Sequence, residues 1–414
     1  MKTVIMAGGK GTRISSIASD IPKPMIRIGD KPVLQLEIES LRKQGFRDFI
    51  ITISHLGYVI QDYFKDGSDF GVHIEYYNEE IPLGNAGALF KIKDQLSDDF
   101  LLINGDVLFD VDINRMLSFY KENGGLASIL THPNTHPYDS GLIFIDEQKR
   151  VTRWLAKEDE RPQYYKNRVN AGIHILSKSV LDKQIDKEKI DLDRDILKPL
   201  CLFGQLYAYD SSEYVKDMGT PERYREVCKD FLSGKVEKRN LLNKQKAIFL
   251  DRDGTINRYV GFLRNIDDLQ LLENASEAIR RINDSQYLAI VVTNQPVIAR
   301  GEVTYEELDM IHNKLETLLG EKGSYLNAIY YCPHHPDKGF EGEVKELKID
   351  CSCRKPKPGL LLKAAKDFNI DLSESYMIGD SENDVLAGKN AGCSTIKIER
   401  DGDLLKAVEQ ILGE

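Results

Sequence analysis

The chain has 414 residues, of which 41% are hydrophobic and 29% charged, and its formal net charge is −10. This length exceeds what one core normally organises, so we expect two domains. The acidic balance argues against nucleic acid as the main partner, and no apolar run is long enough to cross a membrane. The apolar start is too short for a signal peptide. Six cysteines need not form a disulfide framework in a chain of this size, so we expect a cytoplasmic protein.

The chain opens with a predicted strand that runs directly into a glycine-rich turn. Val4 to Ala7 form the apolar run, and Gly8, Gly9 and Gly11 follow it. Glycines let backbone N–H groups approach an anion closely. The spacing is that of neither a Walker loop nor a dinucleotide fingerprint, and a tight strand-to-helix connection explains this motif alone equally well.

Alternating strands and helices follow this turn. The apolar spacing predicts a helix over 33–45 and a strand over 49–53, which favours an α/β fold with a mostly parallel sheet. A second loop of small residues, 82–89, opens another helix and can present N–H groups to a base or phosphate. The stretch 100–106 then forms another buried strand that ends in a carboxylate, Asp106.

Six short strings occur in a fixed order along residues 1–228. They are Gly8-Gly9-Lys10-Gly11-Thr12-Arg13, Pro22-Lys23-Pro24-Met25, Leu83-Gly84-Asn85-Ala86-Gly87, Asn104-Gly105-Asp106, Val169-Asn170-Ala171-Gly172 and Asp217-Met218-Gly219-Thr220-Pro221. Together they resemble the sugar-1-phosphate nucleotidyltransferases. In that family an oxygen of the sugar phosphate attacks the α-phosphorus of a nucleoside triphosphate, and pyrophosphate leaves.

The resemblance implies a role for each motif residue. Arg13 and Lys23 would neutralise charge on the triphosphate, and Asp106 and Asp217 would hold Mg²⁺. The implied nucleotide- and sugar-binding residues are Gly8, Gly9, Gly11, Thr12, Gly84, Asn85, Asn104, Lys157 and Asn170. Taken singly, Asp106 is also explained as a solvated strand end and Asp217 as a helix cap.

A polar and charged stretch, 229–245, separates the two halves and is predicted to be an interdomain linker. The second half begins with a short apolar run that ends in Asp251 and Asp253. Ligands of parallel sheets bind beyond the carboxyl ends of the strands, and two acids this close invite a metal ion. The alternative is a strand end with turn acids and a capping Thr255.

Further along, Thr293 ends another apolar run, and Lys355 and Asp380 follow in order. This order makes residues 246–398 similar to the haloacid-dehalogenase-like phosphatases. The resemblance implies that Asp251 is the nucleophile and that Asp253 is the general acid and base. Asp251, Asp380 and the carbonyl of Asp253 would bind Mg²⁺. Thr293 and Lys355 would contact the phosphoryl group, Asp384 would orient Lys355, and Arg252 is expected to point away from the site.

Four thiol and imidazole groups lie close together in the sequence of the second half. Cys332 and His334 form one i, i+2 pair, and Cys351 and Cys353 form another. Four such ligands suit tetrahedral Zn²⁺, and a full ligand set predicts a structural site. His335 falls outside this spacing, and a chance cluster is the alternative.

The string from Thr293 through Asn294 to Arg300 and Gly301 is similar to that of heptose-1,7-bisphosphate 7-phosphatases. This similarity implies that Arg300 and Arg354 bind the second phosphate of the substrate, a task that suits the guanidinium group. Asn294 would also lie at the substrate. Histidinol-phosphate phosphatases share the zinc loop and remain an alternative.

We therefore expect two Rossmann-like α/β domains: a nucleotidyltransferase (1–228) with a mixed, mostly parallel sheet, and a haloacid-dehalogenase-like domain (246–414) with a zinc loop. The expected function is bifunctional: one half removes the 7-phosphate and the other makes GDP-heptose, a precursor of lipopolysaccharide or S-layer glycan. ADP-heptose, another phosphomonoester substrate, or one half acting as an inactive binding module are the alternatives. The expected partners are a nucleoside triphosphate and a phosphorylated heptose, and the oligomeric state, including a homo-oligomer, stays open.

Overall fold

The computed structural model describes residues 1–9, 20–183, 185–339 and 341–413, which form two compact units. The first unit contains Met1–His132, Ile143–Trp154 and Asn170–Asn240, and the second contains Pro133–Leu142, Leu155–Val169 and Leu241–Glu414. Two stretches from the N-terminal part of the sequence therefore fold with the C-terminal part. Among the described residues, no helix has the length and apolar character needed to span a bilayer.

The first unit alternates strands with helices. Its strands are β1 (Lys2–Met6), β2 (Arg27–Ile28), β3 (Lys31–Pro32), β4 (Asp48–Ile53), β5 (His73–Asn78), β6 (Asp99–Asn104), β7 (Val107–Asp110), β8 (Ala127–His132), β9 (Leu142–Ile145), β10 (Val151–Leu155), β11 (Val169–Ser177), β12 (Leu206–Asp210) and β13 (Tyr214–Asp217). Its helices are α1 (Val33–Lys43), α2 (Gly57–Phe64), α3 (Gly87–Lys91), α4 (Ile113–Asn123), α5 (Lys198–Leu202), α6 (Pro221–Leu232) and α7 (Lys235–Lys238). The predicted linker thus contains the end of α6 and all of α7.

The main sheet of this unit has the order β10-β9-β11-β6-β1-β4-β5, with β8 and β12 attached beside β11. Its centre is parallel: Ile5 pairs with Ile51 of β4 and with Ile103 of β6. β11 runs antiparallel to β6. The predicted mixed, mostly parallel sheet is confirmed. Because the central strands are apolar on both faces, they are covered on both sides, as parallel sheets require.

A buried histidine on β11 makes the stability of the first unit depend on pH. His174 is 1% exposed, and its Nε2 lies 3.1 Å from Oδ1 of Asn170. Burial lowers the pKa of His174 to about 4, and the backbone of Leu102 opposes this only in part. Because the folded pKa lies below the unfolded value of 6.5, stability is complete above that pH and is lost as the pH falls from 6.5 towards 4.

Between pH 7 and pH 5 we expect this histidine to cost about 2 kcal/mol of unfolding free energy. His174→Gln, which keeps a donor for Asn170, should remove that part of the loss. The single tryptophan, Trp154, is buried in this unit, so its fluorescence in urea titrations reports the transition. Equal pH dependence of the variant and the wild type would contradict the assignment.

The second unit contains a separate parallel sheet. Its strands are β14 (Lys246–Leu250), β15 (Tyr287–Asn294), β16 (Ala328–Cys332), β17 (Tyr376–Gly379) and β18 (Ser394–Lys397), and its helices are α8 (Ala275–Asp284), α9 (Tyr305–Glu321), α10 (Gly359–Asp367), α11 (Glu382–Ala391) and α12 (Leu404–Leu412). The order is β16-β15-β14-β17-β18, and each neighbouring pair is parallel. Buried apolar clusters cover both faces of β14.

Helix α9 binds the inserted stretch 155–169 through buried polar groups. Thr317 Oγ1 accepts from the N–H of Tyr165 and donates to its carbonyl, at 2.9 and 3.1 Å. Glu316 accepts from the N–H of Asn167 at 2.7 Å and pairs with Arg168 at 3.4 Å, and both charged side chains are 4% exposed. Removing one partner of a buried ion pair typically lowers the free energy of unfolding by about 3–5 kcal/mol. These buried contacts therefore make the stretch an integral part of the second unit.

Candidate active sites

A cavity of about 460 Å³ opens at the carboxyl ends of the parallel strands of the first unit. It is lined by Met6, Ala7, Gly8, Gly9, Lys23, Pro24, Thr52, Ser54, Glu79, Pro82, Gly84, Asn85, Asn104, Gly105, Asp106 and Gly219. Most of these residues end or follow β1, β4, β5 or β6, at the edge where α/β sheets bind ligands. Six of the predicted binding or catalytic residues, with Asp106, therefore share one cavity.

Lys23 and Asp106 form an ion pair in this cavity. Asp217 lies close by, because β13 pairs with β7 and the N–H of Met218 donates to the carbonyl of Asp106 at 3.2 Å. Arg223 Nη1 lies 2.9 Å from both oxygens of Asp217. Burial alone would raise the pKa of Asp217, but the guanidinium outweighs it, and the pKa is lowered. The structure thus places Asp106 and Asp217 at the same end of one ribbon.

Glycine is required at one point of the cavity wall. Gly84 has a φ of +83°, and an added Cβ would lie 2.3 Å from the carbonyl oxygen of Ile190. Its neighbour Asn85 uses Oδ1 to accept from the N–H of Leu192 at 2.7 Å. The loop is therefore fixed against the 190–192 segment, and only glycine fits at position 84.

Asn170 belongs to β11, beside β6. Its Oδ1 accepts from the N–H of Gly172 at 3.2 Å and lies 3.1 Å from the ring of His174. The side chain of Asn104 packs against Gly172, where a Cβ would lie 2.5 Å from Nδ2. The two predicted asparagines are thus held by neighbours on adjacent strands.

Asn170, Asp217 and Lys157 are predicted site residues that do not line this cavity. Gly11, Thr12 and Arg13 lie outside the described residues. Lys157 belongs to the second unit, where it is exposed and forms an ion pair with Asp139. Its predicted contact with the sugar phosphate stays a prediction.

Glu79 lines the same cavity and was not predicted from the sequence. It follows β5, and Oε1 lies 3.3 Å from where a Cβ on Gly8 would sit. Burial raises its pKa, which the N–H of Leu83 opposes only in part. A sequence signal for Glu79 existed, because an acid follows β5 as Asp106 follows β6. That signal is weaker, since β5 is less apolar and a second acid, Glu80, follows.

The second cavity, of about 220 Å³, lies at the carboxyl ends of β14, β15 and β17. Lys355 is at its floor: Nζ lies 2.8 Å from Oδ1 of Asp251, 2.5 Å from Oδ1 of Asp384 and 2.8 Å from the carbonyl of Val292. Asn294 fixes the backbone of Lys355 by a reciprocal pair of 3.0 Å hydrogen bonds. The expected role of Asp384 as a partner of Lys355 agrees with this contact.

Three carboxylates around Lys355 can hold a metal ion. One oxygen from each of Asp251, Asp380 and Asp384 lies within 4.8 Å of the others. Burial raises the pKa of Asp251 to about 6, and the negative charges of Asp384 and Asp253 add to this, against the effect of Lys355. Such a crowded set of oxygen donors fits Mg²⁺. The sequence had selected Asp251 and Asp380 but not Asp384 for this set.

Arg252 does not line the cavity, but it does not point away from Asp253 as the sequence suggested. It is fully buried, and Nη2 lies 2.8 Å from Oδ2 and 3.0 Å from Oδ1 of Asp253. Gln295, which was also missed, donates to Oδ2 of Asp253 at 2.9 Å and to Oγ1 of Thr293 at 3.0 Å. The i, i+1 position of Arg252 suggested the opposite strand face, but the chain turns after β14 and brings the guanidinium back.

The predicted arginines have different surroundings. Arg354 lines the cavity and donates to the carbonyl of His334 at 3.3 Å. Arg300 lies 2.8 Å from Glu302 and 4.6 Å from the ring centre of Phe262. Arg400, which the sequence did not indicate, lines the cavity and lies 2.7 Å from Asp380.

The four predicted zinc ligands form one cluster. Cys353 Sγ lies 3.2 Å from Cys351 Sγ and 3.3 Å from both Cys332 Sγ and Nδ1 of His334. No disulfide links them. These separations approach the edge of roughly 3.8 Å expected for a Zn²⁺ tetrahedron with bonds of about 2.3 Å. The cluster therefore has a donor set and size that fit zinc.

Family comparisons match both halves of the chain. The nucleotidyl transferase family matches residues 2–234, and the haloacid dehalogenase-like hydrolase family matches residues 173–392. The two ranges overlap at 173–234, and each covers more than half of the chain.

Individual proteins are similar to parts of the chain. The D-glycero-beta-D-manno-heptose-1,7-bisphosphate 7-phosphatase of Haemophilus ducreyi is 42% identical over 164 residues, which is 39% of this chain and 87% of that protein. The mannose-1-phosphate guanylyltransferase of Mycobacterium tuberculosis is 30% identical over 234 residues, 56% of this chain and 64% of that protein. The crystal structure of HddC from Yersinia pseudotuberculosis is 28% identical, with a TM-score of 0.49, and covers 56% of this chain and 99% of that chain.

Proposed function

Because the chain belongs to the nucleotidyl transferase family over residues 2–234 and to the haloacid dehalogenase-like hydrolase family over 173–392, we propose that it catalyses two consecutive steps of nucleotide-heptose synthesis. The phosphatase half removes the 7-phosphate of D-glycero-D-manno-heptose 1,7-bisphosphate. The transferase half couples the resulting 1-phosphate to a nucleotide. The observation that carries this proposal is the presence in one chain of two acidic strand-end cavities, together with 42% identity to a 7-phosphatase over most of that enzyme.

In the phosphatase half, a carboxylate oxygen of Asp251 attacks the phosphorus, and the bond from phosphorus to the C7 oxygen breaks. Asp253 gives its proton to that oxygen and then takes one from the water that hydrolyses the aspartyl-phosphate. Lys355, 2.8 Å from Asp251, and Thr293 offset the charge of the phosphoryl oxygens. Mg²⁺, held by Asp251, Asp380 and the carbonyl of Asp253, would neutralise further charge.

In the transferase half, an oxygen of heptose 1-phosphate attacks the α-phosphorus of the nucleotide, and pyrophosphate leaves. The protein accelerates this reaction by orienting the two reactants and by neutralising the charge on the phosphates. Lys23 and Arg13 would bind the triphosphate, with the glycine-rich turn around it. Mg²⁺ at Asp106 and Asp217 would offset charge on the phosphates.

We propose GTP as the nucleotide, and Glu79 supports this choice. Guanine presents an amino group and a ring N–H side by side as donors, and one carboxylate can accept from both. Adenine offers no such pair of donors, so ATP should gain less from Glu79. The similarity to a mannose-1-phosphate guanylyltransferase points the same way.

Glu79→Gln should lower kcat/KM for GTP by about 10- to 100-fold. The amide nitrogen of Gln is a donor and would face a donor of guanine where the carboxylate has an acceptor. The kcat/KM for ATP should change by less than about threefold in the same assay of pyrophosphate release. Glu80→Gln, at the exposed neighbouring acid, is the matched control. If the wild type prefers ATP, the product is ADP-heptose, and the proposal of GDP-heptose is wrong.

We propose that Cys332, His334, Cys351 and Cys353 hold a structural Zn²⁺. Metal analysis of the purified chain should find about one zinc per chain, and Cys351→Ser should lower both the zinc content and the Tm. Cys201→Ser, at a thiol of the first unit, is the control. A wild type purified without zinc, or a Cys351→Ser variant that keeps the zinc content and Tm of the wild type, would contradict the assignment.

The proposal is tested by giving the purified full chain a panel of phosphomonoesters and measuring orthophosphate. Heptose 1,7-bisphosphate should be the best substrate. Faster orthophosphate release from histidinol phosphate or another small phosphomonoester would show that the alternative substrate is the correct one. If one half is an inactive binding module, either orthophosphate or pyrophosphate should be missing with every substrate.

Free thiols and the need for nucleoside triphosphates support a cytoplasmic location.

A further inference from the structure

Beneath the phosphatase cavity, buried polar side chains lead from Asp253 to helix α9. Asp253 itself is 16% exposed on its side chain and lines the cavity. Oδ1 accepts from Nε and Nη2 of Arg252, at 3.1 and 3.0 Å, and from Nδ2 of Asn257 at 3.0 Å. Oδ2 accepts from Nη2 of Arg252 at 2.8 Å and from Gln295 at 2.9 Å. One carboxylate therefore receives five hydrogen bonds from three side chains.

Arg252 is held from behind as well. It is fully buried, its Nη2 also donates to Oε1 of Gln295 at 3.0 Å, and its Nη1 lies 3.1 Å from Nε2 of His312 on α9. The pKa of His312 is far below its usual range, first because of burial and then because of the charges of Arg252 and Lys166. The imidazole is thus neutral and can accept at Nε2, which gives Nη1 of the guanidinium a buried partner.

This arrangement defines the direction of the Asp253 carboxylate. Charge-assisted bonds from a guanidinium fork are directional and about twice as strong as neutral ones. Proton transfer requires the acid within hydrogen-bond reach of the leaving oxygen, and such catalysis contributes about 10²–10⁴-fold. A carboxylate free to rotate would lose part of that factor. Neither Arg252 nor His312 lines the cavity, so neither is placed to touch the phosphate.

We propose that Arg252, Gln295 and His312 are positioning residues that aim Asp253 at the leaving-group oxygen. Arg252 binds the carboxylate, Gln295 links it to Thr293, and His312 fixes Arg252 from α9. The inference rests on the proposed phosphatase activity. It predicts a defect confined to proton transfer, because the nucleophile Asp251 and the amine of Lys355 lie outside this set.

The test compares two leaving groups in the full-length chain. A sugar or alkyl alkoxide needs a proton as it leaves, whereas nitrophenolate is stable without one. His312→Leu removes the acceptor for Arg252, His312→Gln retains an acceptor, and Arg252→Lys keeps the charge but loses the fork. The measurements are kcat and KM for heptose 1,7-bisphosphate, glycerol 3-phosphate and p-nitrophenyl phosphate, with the Tm of each variant.

We expect His312→Leu to lower kcat/KM for the two alkyl substrates about tenfold, with less than about twofold loss on p-nitrophenyl phosphate. The ratio kcat/KM reports the steps up to release of the leaving group and excludes the later attack of water, in which Asp253 acts on every substrate. His312→Gln should recover most of that loss, and Arg252→Lys should lose about 100-fold on alkyl substrates alone. Equal losses of kcat/KM on both leaving groups, or none, would overturn the proposal. The two His312 variants decide the question if Arg252→Lys does not fold.

The failure of the proposed function would look different. A wild type that cleaves glycerol 3-phosphate and p-nitrophenyl phosphate but not the heptose bisphosphate would refute the proposed substrate, and glycerol 3-phosphate would still test the positioning set. A wild type that cleaves none of the three would overturn both proposals.

Discussion

Asp251→Asn is expected to abolish orthophosphate release from heptose 1,7-bisphosphate, by at least about 10³-fold, because the amide cannot attack phosphorus. The fold should persist, since Asn has the same shape and Lys355 keeps its 2.5 Å contact with Asp384. Pyrophosphate release from heptose 1-phosphate and GTP should stay at the wild-type rate. Both products are measured in parallel on one preparation.

The control for this substitution is Asp284→Asn, at an exposed acid on α8 that pairs with Arg280. It should change neither rate, because it lies on a helix surface and not at a strand end. Wild-type orthophosphate release by Asp251→Asn would remove Asp251 from its role as the nucleophile. Loss of both activities together would indicate general unfolding, which the Tm identifies.

Asp106→Asn is expected to give the converse result. Its carboxylate pairs with Lys23, and its backbone lies at the same end of the β7–β13 ribbon as Asp217. Without that charge, the proposed Mg²⁺ site and the position of Lys23 are both lost, and nucleotide transfer should fall by about 10²–10⁴-fold. Orthophosphate release should be unchanged.

Asp182→Asn is the matched control. This exposed acid of the first unit pairs with Lys93 at 2.7 Å and does not line the cavity. Transfer at more than about a tenth of the wild-type rate by Asp106→Asn would contradict the proposed site. Loss of orthophosphate release in the same variant would contradict the independence of the two chemistries.

One rule predicted most of the site: polar residues that follow apolar strands meet at one edge of a parallel sheet. It selected Asp106 after β6, Asp251 after β14 and Thr293 in β15, and the structure brings each into a cavity. Cysteine and histidine spacing likewise selected the four residues that cluster in the second unit. These signals are local, so sequence was sufficient to read them.

Contacts between distant residues could not be read in this way. Arg168 pairs with Glu316 across 148 positions, so nothing near either residue indicates that 155–169 folds with α9. His312 looks like an ordinary core residue of an amphipathic helix, and only the fold shows that it meets Arg252. The direction of Arg252 depends on a turn whose geometry no spacing rule specifies.

The central claim is that one chain performs both steps in succession. The most direct test incubates the full-length protein with heptose 1,7-bisphosphate, GTP and Mg²⁺ and identifies the products by mass spectrometry. We predict GDP-heptose with one orthophosphate and one pyrophosphate per molecule formed, and no GDP-heptose when Asp251→Asn replaces the wild type. Orthophosphate without any nucleotide sugar, or a nucleotide sugar that still carries the 7-phosphate, would contradict the account.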